Sequence, residues 1–435
     1  MKKTSVFKYL IKEFHESSVY PGVQRDLKIP ETTKIISLVG SRRSGKTFYF
    51  YQLIRQLGEK GVTKDEILYI DFTDDRLYPL KIDELDDLLE AYYELYPNNR
   101  MIQKYFFFDE LQDVDGWESF VRRIAEKEKA RVYVTGSSSK MLSREIATSL
   151  RGRTLAFHLF PLSFGEFLRF KAVKLDKDFA YSNVRFKIKK LMGEYLDWGG
   201  FPEIALSDSL KHEILSNYYE VMIYRDVVER FSLRNTALLK SLGKFLITNV
   251  GSRFSVNSYY NTLKNESKVS KETVLEYLAY LEDANIVYRS HIFSYSLKTQ
   301  QMNPSKVYCV DNGLRNAVAL RFSKDDGRLA ENLVFLELKR RGYDIYYWKG
   351  KKEVDFVLKH RNGRLSAINV SYSDEIDQRE TEGLYEFREK FGKSELTILT
   401  RDTEKNENGI AYAPLWRWLL ETSPRLKDPS PASPV

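Results

Sequence analysis

The chain holds 435 residues, 43% of them hydrophobic and 30% charged, with a net charge of +8; that is enough apolar material for a large core divided among two or three domains. A single cysteine, Cys309, excludes an intramolecular disulfide framework, and five scattered histidines make a structural zinc site an unpromising reading. The opening MKKTSVFKYLIKEF has no continuous apolar signal core and no apolar run of about 18 residues follows, so the expectation is a cytoplasmic protein with no membrane partner. The positive balance permits an acidic partner such as nucleic acid. Residues 331–435 nevertheless carry 18 Lys+Arg against 18 Asp+Glu, so the C-terminal part is not basic in itself.

Along the chain, KIISLVG (34–40), EILYIDF (66–72), KYFFFDE (104–110) and ARVYVTG (130–136) are short, bounded apolar runs separated by amphipathic stretches. That alternation predicts a parallel α/β sheet whose strands are buried on both faces. After the first run, Phe50, Leu53, Ile54 and Leu57 recur at helical spacing, and Gly58 is the expected stop. Residues 161–250 read as a helical connector interrupted by YLDWGGFPE. Residues 251–325 read as helix, turn, helix and β-ribbon, the order of a winged helix, with Ser270 capping KETVLEYLAYLED. In that helix Val274, Leu278 and Leu281 share the apolar face, which leaves Lys268, Lys271 and Tyr277 as exposed candidates for nucleic-acid contacts. Residues 326–420 predict a further α/β domain, and the Pro/Ser-rich residues 421–435 a disordered tail.

The chemistry concentrates in the first 160 residues. GSRRSGKT, Gly40 to Thr47, fits G-x-x-x-x-G-K-[ST] between a strand and a helix. In such a loop the main-chain amides of Gly40, Ser41, Arg42, Arg43, Ser44, Gly45 and Lys46, with Thr47 and Phe48 opening the helix, converge on phosphate. Lys46 reaches the outer phosphates, and Thr47 supplies an oxygen to Mg²⁺. The run YFFFDE then ends in Asp109, aimed at the metal, and Glu110, aimed at the attacking water. Thr135, Ser137 or Ser138 in TGSSS places a hydroxyl near the outermost phosphate, unless the segment is a plain turn. Arg153, and after it Arg151, are candidates for an arginine finger acting on a neighbouring subunit.

GSRRSGKT, YFFFDELQDVDGWESFVRRI, VTGSSSKML and SLRGRTLAFHLFPLSFGEF, followed by YLDWGGFPE and KVYCVDNGLRNAV, resemble the archaeal and bacterial AAA+-type P-loop ATPases that carry an appended C-terminal domain of unknown function. The resemblance implies an ASCE-type P-loop domain, a winged helix and a C-terminal region similar to PD-(D/E)XK nucleases. In such a region Glu331 and Asp355 fall at the first two acidic positions, whereas Asn369 and Ser371 stand where Glu and Lys are required. The combined expectation is an ATPase using ATP and Mg²⁺ whose nucleotide state repositions the C-terminal domains on DNA, within an oligomer such as a hexamer. The rival readings are a STAND-like regulatory switch that contacts protein partners and an ATP-gated nuclease.

Overall fold

The computed structural model describes residues 3–18, 22–136, 150, 152–263, 269–319, 325–360, 362–373 and 375–421. They form two units, Met1–Phe160 with Asp283–Asn285, and Pro161–Glu282 with Ile286–Val435.

In the first unit, β1 (Ile35–Val39), β2 (Ile67–Asp71), β3 (Lys104–Asp109), β4 (Ala130–Gly136) and β5 (Thr154–His158) make one parallel sheet in the order β2-β3-β4-β1-β5. The three phenylalanines of β3 show why the run reads as continuously apolar. Phe106 and Phe108 join a core with Phe7, Ile11, Leu88 and Tyr92. Phe107 joins another with Leu38, Tyr49, Phe50 and Ile54. Successive side chains of a strand point to opposite faces, so both faces of this sheet are covered. The opening helix, Lys3–Glu16, supplies Phe7 and Ile11 to the first of these cores. The helix after β1 runs from Lys46 to Glu59 and passes through Gly58. The chain turns at Gly61, whose φ of +91° suits glycine, so the expected stop was placed three residues early.

The second unit begins with helices Phe164–Phe170, Val184–Trp198, Pro202–Leu206, Lys211–Ile223 and Thr236–Thr248. Among the described residues its strands are β6 (Arg253–Phe254), β7 (Val287–Ile292), β8 (Ser305–Cys309), β9 (Ile345–Lys349), β10 (Glu353–Lys359), β11 (Leu365–Ser371), β12 (Ser394–Thr400), β13 (Lys405–Glu407) and β14 (Ile410–Pro414). They form one mixed sheet in the order β13-β14-β12-β11-β10-β9-β7-β8-β6. Helices Val256–Leu263 and Lys271–Asp283 lie between β6 and β7, and Ser270 Oγ accepts from the Thr273 amide at 3.1 Å, capping the second of them. Parallel pairing of His291 with Tyr346 and of Ile292 with Tyr347 makes β7 and β9 neighbours, so the strands of residues 251–325 and of 326–420 share one sheet. No helix among the described residues is long and apolar enough to cross a membrane.

Candidate active site

The loop from Gly40 leaves the C-terminal end of β1 and turns into the helix Lys46–Glu59. A Cβ on Gly40 would overlap the Leu159 carbonyl oxygen, so only glycine lets the loop pass there. Gly45 has φ +96° and Arg43 φ +67°; the left-handed conformation is costly for a non-glycine residue and concentrates at functional loops. The first main-chain bond of the helix runs from the Tyr49 amide to the Gly45 carbonyl, 2.9 Å, and no side chain caps the N-terminus. The amides of Lys46, Thr47 and Phe48 therefore have no acceptor within the helix. The hydroxyls of Ser41 and Ser44 are buried and find no partner among the described residues. A loop of inward-facing donors with two unmatched hydroxyls fits a polyphosphate, and the positive end of the helix adds to that fit. Phe48 is exposed at the mouth of the loop, edge-on to Tyr51.

Lys46 is buried, and its Nζ donates to the carbonyls of Gly40 at 3.2 Å and Ser41 at 3.3 Å while standing 3.4 Å from Glu110 Oε1. Asp109 ends β3 under the same loop. It accepts from the hydroxyls of Thr135 and Thr47 and, at 3.1 Å, from Tyr69. Burial is the largest influence on its carboxyl and raises its pKa against the two threonine bonds, with Glu110 and Asp71 adding to the rise. Thr47 and Asp109 thus present adjoining oxygens of the hard type that Mg²⁺ takes. Glu110 itself sits at φ +51°. Its amide donates to Thr135 Oγ1 at 2.9 Å, and its carboxylate accepts from Gln112 Nε2 at 2.7 Å. Burial alone would push Glu110 up. Lys46, Gln112 and Arg42 together outweigh burial and hold its pKa below the ordinary glutamate value.

Two contributors were not legible as such. Arg25, ahead of β1, is buried, and its guanidinium donates to the Ser44 carbonyl at 2.8 Å and the Phe160 carbonyl at 2.7 Å. Tyr69 lies inside an apolar strand, and nothing in the sequence pairs it with Asp109. Of the other candidates, Arg153 precedes β5, the strand next to β1, and so lies at the opposite end of the strands from the loop, paired with Glu126. Ser137, Ser138, Arg151 and Lys268 lie outside the described residues. Lys271 opens the helix Lys271–Asp283. Tyr277 corrects the expectation of an exposed stacking residue: it is 5% exposed and lies on the same face as Val274, Leu278 and Leu281, at the i, i+3, i+4 and i+7 positions.

The second unit has its own charged centre. Glu331, on the helix Asp326–Arg340, and Glu353 and Asp355, on β10, surround Lys306 of β8 at Nζ–O distances of 3.0, 2.8 and 2.9 Å. Tyr308 Oη donates to Glu331 at 2.8 Å, and the Val370 amide donates to Asp355 at 3.0 Å. Burial opposes the charge on Lys306, but Asp355 and Glu331 outweigh it and raise its pKa well above the ordinary lysine value. Asn369 is fully buried and structural: its side chain accepts from the Asp355 amide at 3.0 Å and donates to the Glu380 carbonyl at 3.0 Å. Ser371 ends β11, with Ser373 Oγ 3.4 Å from its hydroxyl. Lys349 stands 3.9 Å from Glu353 Oε2, and Lys352 pairs with Glu382 at 2.9 Å. Among the described residues no group of three His, Cys, Asp or Glu side chains is arranged to hold a metal ion.

A parallel sheet with β4 inserted between β1 and β3, a glycine-lysine-threonine loop after β1 and an acidic pair at the end of β3 define a P-loop ATPase fold of the AAA type. Family models match as an AAA domain over residues 32–168 and as two domains of unknown function, DUF8612 over 189–326 and DUF4143 over 326–418. The chain is 38% identical over 420 residues to the uncharacterized protein MJ1544 of Methanocaldococcus jannaschii, spanning 92% of this chain and 91% of that one. It is 31% identical over 404 residues to an uncharacterized protein of Haemophilus influenzae, spanning 92% and 97%. The chain belongs to the family that these archaeal and bacterial proteins represent. Among solved structures, the Walker-type ATPase PABY2304 of Pyrococcus abyssi matches over 73% of this chain and 96% of its own, at 13% identity and TM-score 0.42. The ORC1 protein of Aeropyrum pernix, solved in complex with DNA, matches over 73% and 91% at 15% identity and TM-score 0.29. Likenesses so remote carry no argument about what this chain binds.

Proposed function

We propose that the chain binds ATP with Mg²⁺ on the loop Gly40–Thr47 and hydrolyses it. The observation that carries this reading is the convergence of Lys46, Thr47, Asp109 and Glu110 on one loop whose buried Ser41 and Ser44 hydroxyls have no partner among the described residues. Thr47 and Asp109 would hold Mg²⁺, which when bound would supply neutralisation of phosphate charge. Lys46 leaves the long bonds to its own loop for the phosphate oxygens, where its charge is better matched. Glu110 stays ionised, with one oxygen fixed by Gln112, and is oriented to polarise the attacking water. Lys46→Ala is expected to lose ATP binding, whereas Glu110→Gln keeps ATP bound and stops turnover, because only Glu110 acts on the water. Equilibrium binding of a fluorescent ATP analogue alongside phosphate release separates the two, and wild-type turnover by Glu110→Gln would remove it from the mechanism.

For the output we propose nucleotide-dependent repositioning of the second unit on DNA. The helix–strand–helix–helix order Thr236–Thr248, β6, Val256–Leu263, Lys271–Asp283, followed by the antiparallel β7 and β8, supports a winged helix. Residues 249–300 carry 6 Lys+Arg against 5 Asp+Glu, so few phosphates are neutralised and the salt dependence of binding is shallow. ATPase rates with single-stranded, duplex and branched DNA test this reading, and no stimulation by any of them turns it toward a protein-contacting switch. The centre at Lys306 supports no strand cleavage. Plasmid nicking with Mg²⁺ or Mn²⁺ that vanishes in Asp355→Ala would contradict that.

A further inference from the structure

We infer that Lys306 is a built-in cation that fills, and thereby closes, a divalent-metal site formed by Glu331, Glu353 and Asp355. Three carboxylates from a helix and a strand converge on one point, and the group at that point is an ammonium within 3.0 Å of all three. Lys306 is 2% exposed, so its charge has been taken out of water and is compensated only by these oxygens and their neighbours. Each of the outer two is fixed from behind, Glu331 by the Tyr308 hydroxyl and Asp355 by the Val370 amide. Asn369, which holds the Asp355 amide, and the approach of Glu331 to Gly251, where a Cβ would stand 2.8 Å from Glu331 Oε2, keep the frame rigid.

Charge and size decide the assignment. Three carboxylates face the ammonium; Glu353 also has Arg253 at 3.8 Å and Lys349 at 3.9 Å, whereas Glu331 and Asp355 share Lys306, and a divalent cation would balance that pair more fully. Oxygens held at N–O distances of 2.8–3.0 Å stand farther from the centre than the roughly 2.0–2.6 Å that Mg²⁺ or Ca²⁺ requires. The ammonium thus occupies the focus and also keeps the ligands spread. The four-carbon stem of Lys306 enters from β8, the strand that carries Tyr308, so charge and support arrive together. Removal of the side chain vacates the focus, takes from Glu331 and Asp355 the ammonium they share, and lets the three carboxylates close on a metal ion by less than an ångström each, roughly the difference between the two sets of distances.

The test uses the full chain, free of nucleotide, with Mn²⁺ as the probe, read by electron paramagnetic resonance and by thermal unfolding. Wild-type protein is expected to show the same Mn²⁺ stoichiometry as Glu331→Gln/Asp355→Asn. Lys306→Ala is expected to gain one additional Mn²⁺ with at least tenfold higher affinity than any wild-type site, and to lose it again in Lys306→Ala/Glu331→Gln/Asp355→Asn. Its unfolding temperature falls without metal and recovers with Mn²⁺, as binding to the native state alone demands. Wild-type binding that disappears in Glu331→Gln/Asp355→Asn would overturn the inference, because Lys306 would then yield to the metal. A folded Lys306→Ala that gains no ion overturns it as well. Should Lys306→Ala not fold even with Mn²⁺ while the neutralised Lys306→Met/Glu331→Gln/Asp355→Asn does, metal cannot replace the ammonium, and the inference fails.

Discussion

Thr135 serves two partners with one hydroxyl, donating to Asp109 and accepting from the Glu110 amide. It therefore fixes both acids at the end of β3 from the neighbouring strand β4. Thr135→Val keeps the shape and removes both bonds, stranding a half-buried amide at a cost of about 1 kcal/mol. The expected result is turnover lowered roughly tenfold or more with ATP affinity little changed, and an unchanged kcat would reduce Thr135 to packing. Glu110 titrates below the ordinary glutamate value because Lys46, Gln112 and Arg42 overcome its burial. A carboxyl depressed in the folded state contributes stability that is complete above its unfolded pKa and lost as pH falls through the lower folded value. The ratio kcat/KM should accordingly hold from about pH 8 down to about pH 5, with an acid limb beneath the usual glutamate range. Gln112→Ala, which deletes a 2.7 Å bond to the charged form, should move that limb upward. Profiles of kcat/KM against pH, which report the nucleotide-free protein, check the sign for the two proteins, and coincident limbs would sever Gln112 from Glu110.

At the scale of elements, the loop Gly40–Thr47 is held from the segment that precedes β1. Arg25 exchanges two bonds with the Gln52 side chain, 2.8 Å from its amide and 3.2 Å to its carbonyl, and its guanidinium grips the carbonyls of Ser44 and Phe160. Hydrogen bonds from a charged group contribute about 1.5–3 kcal/mol each. Arg25→Ala is expected to raise KM for ATP more than it lowers kcat, with partial recovery in Arg25→Lys; a folded Arg25→Ala with wild-type KM would refute a role in shaping the loop. In the second unit the motifs WGG and DNG meet: Asp311 accepts from the amides of Gly200 at 2.6 Å and Leu314 at 3.1 Å, capping helix Asn312–Val318. Asp311→Ala removes a helix cap and strands a buried amide, a loss of roughly 2–4 kcal/mol measurable by denaturant unfolding. Four strands of the first sheet were legible because burial on both faces writes them as apolar runs. β5 was not, since it closes an edge where Leu155 is 39% exposed and the run mixes polar with apolar residues. The pairing of β7 with β9 is parallel and non-local, so no turn residue announces it. Lys306 was hidden because a lysine inside a strand reads as a solvated position until its three carboxylates are in place, and Tyr277 because a ring with a polar tip serves either face of a helix.

Across the whole molecule, the unresolved chemical question is what stabilises charge on the transferring phosphoryl group. Within one chain Arg153 cannot do so. It precedes β5, the loop follows β1, and the two strands run parallel in register from Ile35 beside Thr154 to Val39 beside His158. Five residues of strand separate them by roughly 16 Å, and Arg153 is meanwhile paired with Glu126. Any part it plays at the phosphates has to be in another copy of the chain, where a head-to-tail interface would bring one protomer's sheet edge to its neighbour's loop. Subunit mixing separates that role from a structural one. Lys46→Ala protomers lack a working loop but keep Arg153, whereas Arg153→Ala protomers keep the loop and lack the guanidinium. In an equal random mixture about a quarter of head-to-tail interfaces pair a good loop with a good arginine, so activity should rise from near zero toward that fraction of wild type as the two inactive proteins are combined. The ratio matters as well: recovery should peak at equal amounts and fall on either side, which contamination by active enzyme would not do. Glu126→Ala supplies the opposing expectation, because a purely structural Arg153 should be mimicked by loss of its partner, with both single variants losing thermal stability alike. No recovery at any ratio, with assemblies intact by sedimentation and Glu126→Ala matching Arg153→Ala, would leave Arg153 as half of a surface ion pair.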